Sequence, residues 1–252
     1  MWVTIFWVLL FIVFYSYLGY GILLGILIKL GFRNKEEVPE SNEWPSVALI
    51  VPCFNEGSYI EDKIKNSLEL DYPRDRIEFI FISDGSSDNT PEIVRRYEGQ
   101  VKPMHEDARR GKAAAMNRAV EATQAEVLIF CDANTELNAE AIKSIARHYH
   151  NPKIGGVAGV KTIKQNDAES ASGAGEGIYW KYESTLKKWD SRFYTVVGAA
   201  GELMSYRRDL YEELPQDTIL DDFMQSMRVC EKGYRVVYVG AGAGEQSGEC
   251  QC

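Results

Sequence analysis

The chain has 252 residues, 45% of them hydrophobic, and a formal net charge of −9. That length supports one substantial domain with its own core plus an extra segment. The acidic balance excludes a general nucleic-acid-binding role, so an anionic ligand has to be met by a local basic patch.

The first 30 residues carry one charged side chain, Lys29. An apolar run of this length exceeds the roughly 20 residues that cross a bilayer as a helix. Trp2, Trp7, Tyr17 and Tyr20 suit interfacial positions. The segment is apolar on every face, unlike a core helix, and lacks the basic start of a cleaved signal peptide. Lys29, Arg33 and Lys35 follow at once, so the positive-inside bias predicts one membrane span with the rest of the chain cytoplasmic. The five cysteines, Cys53, Cys131, Cys230, Cys250 and Cys252, lack paired spacing and agree with a reducing compartment. Residues 31–45, Glu-rich and holding Pro39, read as a linker.

A regular alternation follows. Residues 46–52 read as a strand, and residues 57–70 as a helix with Ile60, Ile64 and Leu68 on one face. Residues 77–83 read as the second strand. Thr90-Pro91 reads as a helix start with Thr90 as N-cap, the helix ending near Tyr97. Residues 101–105 read as an edge strand because of Pro103. An Ala-rich helix over 111–123 leads to the apolar run Val127–Cys131, which reads as a central strand, and Asn138 as the cap of another helix. Such alternation predicts a parallel α/β sheet.

After a strand over 154–160 the pattern loosens. Expected are an amphipathic helix over 173–189, a strand–turn–strand over 195–206, a helix over 218–230 and a strand over 235–239. In the helix over 218–230, Leu220, Phe223, Met224 and Met227 are expected to face inward. Residues 240–252 repeat glycine without completing a dinucleotide fingerprint, Glu245 standing where its third glycine would be, and read as an irregular tail.

Four polar loops follow or flank the predicted strands: Pro52–Glu56, Ser83–Thr90, Arg109–Lys112 and Asp132–Asn134. Singly each is an ordinary turn or strand end. Together they line one sheet edge, where open α/β sheets bind nucleotides. Asn55, Glu56 and Asp84 offer hydrogen bonds for a base and ribose. Arg110 and Lys112 lie near a helix N-terminus, a good place for phosphate. Asp132 and Asn134 are two oxygen donors two residues apart, suited to Mg²⁺ or Mn²⁺. No P-loop sequence is present.

The motifs VPCFNE (51–56), SDGSSDNT (83–90), GKAAAMN (111–117), CDANT (131–135), GAAG with YRR (198–208) and LDDF (220–223) occur in this order. In this the chain resembles the membrane-bound, inverting family-2 glycosyltransferases, which include cellulose, chitin, hyaluronan and poly-N-acetylglucosamine synthases and bacterial envelope transferases. The resemblance covers residues 47 to about 239. It implies a GT-A, Rossmann-like mixed sheet over 46–239, a UDP-sugar donor, a divalent metal, a saccharide or lipid-linked acceptor and a membrane setting. By position it implies that Pro52, Asn55, Glu56, Asp84 and Lys112 hold the donor nucleotide. Asp132 matches the first carboxylate of the family's metal motif, with Asn134 in place of the second. Asp222 matches the catalytic base, and Gly201, Glu202 and Asp221 are possible acceptor or supporting residues. The family's Q-x-x-R-W motif and later membrane helices are absent from these 252 residues, which implies a truncated chain. The alternative is a catalytically impaired, membrane-anchored protein that binds nucleotide sugar without turning it over.

Overall fold

The computed structural model describes residues 1–34, 43–162, 171–198, 202–239 and 249–251. The N-terminal run forms one continuous helix, Trp2–Lys29, built from α1 (Trp2–Phe14), a π-helical stretch (Tyr15–Gly19) and α2 (Tyr20–Lys29). No residue of α1 is buried, and in α2 only Gly21 and Leu24 are. Ser16, the one serine, turns its hydroxyl back onto the Ile12 carbonyl at 2.8 Å, which satisfies it without water. The helix is therefore long and apolar enough to cross a bilayer. Of the linker, residues 35–42 lie outside the described residues.

The alternating region folds as β1 (Val47–Cys53), α3 (Ile60–Leu68), β2 (Ile77–Asp84), α4 (Thr90–Arg95), β3 (Lys102–Glu106), α5 (Lys112–Glu121), β4 (Val127–Cys131), β5 (Glu136–Leu137), α6 (Ala141–Ala146) and β6 (Ile154–Thr162). Then come α7 (Ala171–Phe193), β7 (Leu203–Arg207), α8 (Asp221–Glu231), β8 (Arg235–Val239) and β9 (Glu249–Gln251). Strands β3, β2, β1 and β4 are parallel neighbours in that order, with Pro103 on the edge strand as expected. The sheet becomes mixed where β7 runs antiparallel between β4 and β6.

Both faces of this sheet are covered, which is why its strands read as unbroken apolar runs. Val47, Leu49 and Val51 of β1 pack with Ile129 of β4 under α3, α4 and α6, through Ile60, Ile64, Ile93, Ile142 and Ile145. Ala48, Ile50, Leu128 and Phe130 face the other way, onto Ala115, Met116 and Ala119 of α5 and Val229 of α8. Connections leave β1 and β4 in opposite directions, so a crevice opens between their carboxyl ends.

Four expectations are corrected. First, α8 does not bury Leu220, Phe223, Met224 and Met227; they are 60%, 40%, 38% and 36% exposed, and Gln225, Ser226 and Val229 face inward. Both buried polar side chains are anchored through their donor groups. Gln225 donates to the Glu212 carbonyl, and Ser226 donates to the Asp222 carbonyl at 2.7 Å. Second, of the strand–turn–strand over 195–206 only β7 is a strand; Val196 N–H reaches the Val236 carbonyl (2.9 Å) as a loop, and residues 199–201 lie outside the described residues. Third, α4 begins at Thr90, whose N–H is taken by the Asp88 carboxylate (3.0 Å), and α6 begins at Ala141, whose N–H is taken by the Asn138 main-chain carbonyl (3.1 Å), so neither Thr90 nor Asn138 is the side-chain cap expected. Fourth, within the tail expected to be irregular, Glu249–Gln251 pairs with β6 and β5. Strand addition uses main-chain groups, so side-chain pattern did not announce it. None of Cys53, Cys131 and Cys230 is in a disulfide.

Candidate functional site

The crevice is built by tying its loops to one another. Asn55 adopts a left-handed backbone (φ 56°), a conformation asparagine enters more readily than most residues. Its side-chain oxygen accepts the Ser87 N–H at 2.8 Å and its own N–H donates to Ser86 Oγ at 3.1 Å. Glu56 N–H donates to Thr90 Oγ1 (2.9 Å), and Gly57 N–H donates to Asp88 (2.9 Å). Loops 52–57 and 83–90 are thus one unit, and Asn55 joins them rather than lining the cavity.

Asp84 ends β2 at 5% exposure with every carboxylate oxygen engaged. One oxygen accepts Arg110 N–H (2.9 Å) and Gly111 N–H (2.7 Å); the other accepts Arg118 Nη2 (2.8 Å). The loop that opens α5 is therefore hung on Asp84. Gly85, at φ 69°, admits this close approach, since a Cβ there would lie 2.6–2.7 Å from Arg109 backbone and Cβ atoms. Arg109 then lays its guanidinium 3.7 Å over the Phe54 ring at the cavity wall.

These ties place Pro52, Phe54, Glu56, Asp84, Arg109, Lys112, Asp132 and Asn134 around one cavity of about 320 Å³. A larger cavity of about 570 Å³ lies elsewhere, near Trp44, Arg76, His150 and Arg207, and contains none of these residues. Lys112, in the first turn of α5, reaches across the crevice. Its ammonium lies 2.8 Å from Asp132 and 3.7 Å from Asp221. Asp221 and Asp222 open α8 and share a narrow cleft with Pro52, Lys112 and Asp132. Both aspartates therefore reach the crevice.

The motifs without polar loops act as struts. Tyr206, fully buried, donates to the Asp222 carbonyl at 3.2 Å and so holds the start of α8. Arg207 donates to the carbonyls of Tyr149, Asn151 and Ile154. Asn117 accepts from Tyr211 Oη (2.8 Å) and donates to the Leu214 carbonyl (2.8 Å), fixing the segment before α8. The Glu202 main-chain carbonyl accepts Asp132 N–H at 3.2 Å, which gives that position a place beside the crevice. Gly201 lies outside the described residues.

Sequence reasoning gave no role to Phe54 and Arg109, though it placed both in site loops, and missed Arg118 and Lys63 altogether. Lys63 is 3% exposed and donates to Cys131 Sγ (3.0 Å) and the Thr135 carbonyl (2.5 Å), bracing the Asp132–Asn134 loop from beneath. Its signal was present: a lysine on the same helical stripe as Ile60, Ile64 and Ser67.

The site is electrostatically crowded. Burial, then Asp132 and Asp88, hold the Glu56 carboxyl above the ordinary range. Burial is also the main cause that raises Asp222; a bond from the Phe223 N–H opposes it, and the neighbouring charge of Asp221 adds to it. For Lys112 burial works against the charge, but Asp132, Asp221 and Asp222 outweigh it and raise its pKa. Asp132 already holds a cation, the Lys112 ammonium. Among the described residues no group of three His, Cys, Asp or Glu side chains surrounds a metal position. Asp132 and Asn134 line the cavity with two hard side-chain oxygens, a sparse set that could hold a divalent cation such as Mg²⁺ together with ligand phosphate. The residues fit such a metal.

Arg118→Met leaves a buried carboxylate without its charged partner. The expected result is a loss of roughly 1–3 kcal/mol in stability, read as a lower denaturation midpoint. An unchanged midpoint would show that the two amides alone satisfy Asp84.

Residues 48–215 match the family model described as glycosyl transferase family 2. The poly-β-1,6-N-acetyl-D-glucosamine synthase of Staphylococcus aureus (strain COL) is 27% identical over 215 residues, covering 81% of this chain and 50% of that protein. The Staphylococcus epidermidis protein of that name is 31% identical over 132 residues, covering 51% of this chain and 32% of that one. The chain thus spans about half the length or less of these relatives. Among solved structures, the mannosyltransferase PcManGT from Pyrobaculum calidifontis, in complex with GDP-Man and Mn²⁺, superposes with a TM-score of 0.77 at 25% identity, covering 94% of this chain and 66% of that one. TarS 1–349 of S. aureus with UDP-GlcNAc superposes with a TM-score of 0.59 at 17% identity, covering 82% and 58%.

Proposed function

The chain belongs to glycosyl transferase family 2, and from that premise we propose that it is a membrane-anchored, metal-dependent, inverting transferase. It moves a sugar from a UDP-sugar to a saccharide or lipid-linked acceptor in polysaccharide or envelope glycan synthesis. Its mixed sheet is the GT-A arrangement. The observation that carries the reading is the Lys112 bridge: one cation between Asp132, at the donor cavity, and Asp221, beside Asp222. That bridge gathers one ammonium and the carboxylates of Asp132, Asp221 and Asp222 in one crevice, which supports assigning them phosphate, metal and proton-accepting roles.

In the proposed reaction the acceptor hydroxyl oxygen attacks the anomeric carbon from the face opposite the diphosphate. A new C–O bond forms, the bond to the diphosphate oxygen breaks, and the electron pair leaves with UDP. The hydroxyl proton passes to Asp222, whose raised pKa makes it a better base than an ordinary aspartate. Lys112 releases Asp132 and faces the departing diphosphate. Asp132 and Asn134 would hold a divalent cation, which when bound would supply Lewis-acid stabilisation of the leaving group. Phe54, backed by Arg109, offers a flat wall to the base, and Glu56 is left to meet the ribose.

Calorimetric titration of the full chain in nanodiscs, beside a UDP-release assay, tests this. The expected result is UDP binding that strengthens with Mg²⁺ or Mn²⁺, and UDP release from a UDP-sugar. Binding without release would support the impaired, sugar-nucleotide-binding alternative. Tighter binding of GDP than of UDP would overturn the choice of donor, and pyrophosphate release would indicate a nucleotidyl transfer instead.

The N-terminal helix is proposed to span the membrane with the catalytic domain inside the cell, on the strength of Lys29, Arg33 and Lys35 behind an uncharged run. A cysteine placed in the 34–44 linker is expected to stay unlabelled when intact cells meet an impermeant thiol reagent. Strong labelling would reverse the orientation.

A further inference from the structure

Among the described residues, the long helix α7 contributes no side chain to the donor cavity, yet it is held firmly between two elements. On the sheet side, Ser191 Oγ accepts Tyr238 N–H (3.0 Å), Arg235 donates to the Ser191 carbonyl (3.0 Å), and Lys187 lies over the Tyr238 ring. On the other side it packs against the N-terminal helix. Gly21 and Gly25 form a notch there: a Cβ on Gly21 would sit 2.9 Å from Leu186, and one on Gly25 would sit 3.0 Å from the Trp189 ring. Tyr182 Oη donates to the Tyr17 carbonyl, Tyr20 Oη to Asp190, and Asn34 N–H to the Arg192 carbonyl (2.8 Å). The two helices run parallel, with Tyr182 level with Tyr17 and Gly21, Trp189 with Gly25, and Arg192 with Asn34.

Length then sets depth. At 1.5 Å per residue the 28-residue helix is about 42 Å long, against a hydrocarbon core of about 30 Å. Roughly eight residues stay outside that core, on the side of Lys29 and Arg33, both exposed. The hydrocarbon boundary falls near Gly21, and so near Tyr182. Around that level α7 presents Tyr179 (61% exposed), Lys181 and Tyr182, and toward the cytoplasm Arg192, Phe193 and Tyr194. Aromatic rings and basic chains are what a headgroup layer accepts. Among the described residues of α7, Glu183 is paired with Lys187 and Asp190 with Tyr20, and Lys29, Arg33, Lys181 and Arg192 are exposed.

We propose that the exposed edge of α7, from Tyr179 to Arg192, is a phospholipid-headgroup-binding surface that enters the leaflet beside the C-terminal end of the N-terminal helix, with its Tyr179 end deepest, and favours anionic lipid. The proposal rests on the membrane-span reading above. It has a consequence for the site, because α7 runs directly into the segment that ends at Glu202, whose carbonyl holds Asp132. Lipid contact at α7 therefore bears on one wall of the crevice.

The test uses the full chain, with Cys230, Cys250 and Cys252 replaced by serine, in vesicles of phosphatidylcholine with and without phosphatidylglycerol. Single nitroxides replace Leu10, Tyr179 or, on the opposite flank of the sheet, Asp75. Collisions with oxygen report lipid, and collisions with a nickel chelate report water. The label at Leu10 is expected in hydrocarbon and the one at Asp75 in water. The label at Tyr179 is expected to lose most of its nickel collisions, more so with phosphatidylglycerol. Combining Lys181→Glu with Arg192→Glu, checked for folding by its thermal melt, is expected to return the Tyr179 label toward water and abolish the effect of phosphatidylglycerol. A Tyr179 label as nickel-accessible as the Asp75 label, with Leu10 in hydrocarbon, overturns the proposal and leaves the span standing. A Leu10 label in water overturns the span and the proposal with it. Equal depth in both vesicle types overturns the anionic preference.

Discussion

Asp222→Asn retains UDP-sugar binding and loses roughly 10²–10⁴-fold in transfer rate, the usual cost of removing a general base. Asp221 and Asp222 both reach the crevice, and their environments differ. Asp221 lies 3.7 Å from the Lys112 ammonium, which gives it a structural partner. Asp222 is half-buried with its pKa raised, chiefly by burial, so as an anion it holds a proton more readily. The base must be ionised, so the rate rises with pH through a limb that lies above the ordinary aspartate range. Asp221→Asn removes one cause that raises Asp222, and is expected to move this limb to lower pH at a smaller cost in rate. If Asp221→Asn is the more damaging substitution and Asp222→Asn keeps the limb, the base is Asp221.

The same shift bears on stability. The folded pKa of Asp222 lies above its unfolded value, so the native state binds the proton more tightly. Its contribution is favourable below the unfolded pKa and is lost as pH rises through the folded one. At neutral pH the ionised Asp222 is therefore a cost to the fold, and Asp222→Asn is expected to raise the denaturation midpoint at pH 7 while it loses most of its transfer rate. A residue kept against stability is what a catalytic group is expected to be. A lower midpoint for Asp222→Asn would count against this reading of its environment.

Asp132→Ala is the second large effect. With Asp132 gone, the proposed donor set for a divalent cation reduces to the neutral Asn134 oxygen, and Lys112 loses its closest partner. Transfer is expected to fall by roughly 10²–10³-fold, as when one preorganised electrostatic contact to a developing anion is removed. The wild-type chain should lose a similar factor on chelation with EDTA and recover it with Mg²⁺ or Mn²⁺. The variant should respond to neither. Glu56 gives an independent reading: Asp132 is one cause of its raised pKa, so Asp132→Ala should lower the Glu56 titration whether or not turnover survives. If UDP affinity is indifferent to both EDTA and Asp132→Ala, the metal role of Asp132 is wrong.

By itself the sequence determined the parallel strands β1 to β4, the edge position of β3, the long N-terminal helix and the convergence of four loops. These follow from local chemistry. Buried strands must be apolar throughout, a lipid-crossing helix must be apolar on all sides, and loops at strand ends gather because parallel strands point the same way. What only the tertiary structure decided is how polar groups divide between holding the site and serving it. Asn55 and Asp84 read as nucleotide ligands, but their oxygens hold neighbouring amides; Lys63 and Arg118, silent in the sequence, brace the loops from inside. The rotation of α8 was decided in the same way. Its apolar stripe favoured burying Phe223 and Met224, and the hydrogen bonds open to Gln225 and Ser226 from Glu212, Asp222 and Tyr206 turned the helix the other way. Helical and strand periods record the average polarity of a face, whereas a buried hydrogen bond depends on a partner distant in sequence, which periodicity does not encode.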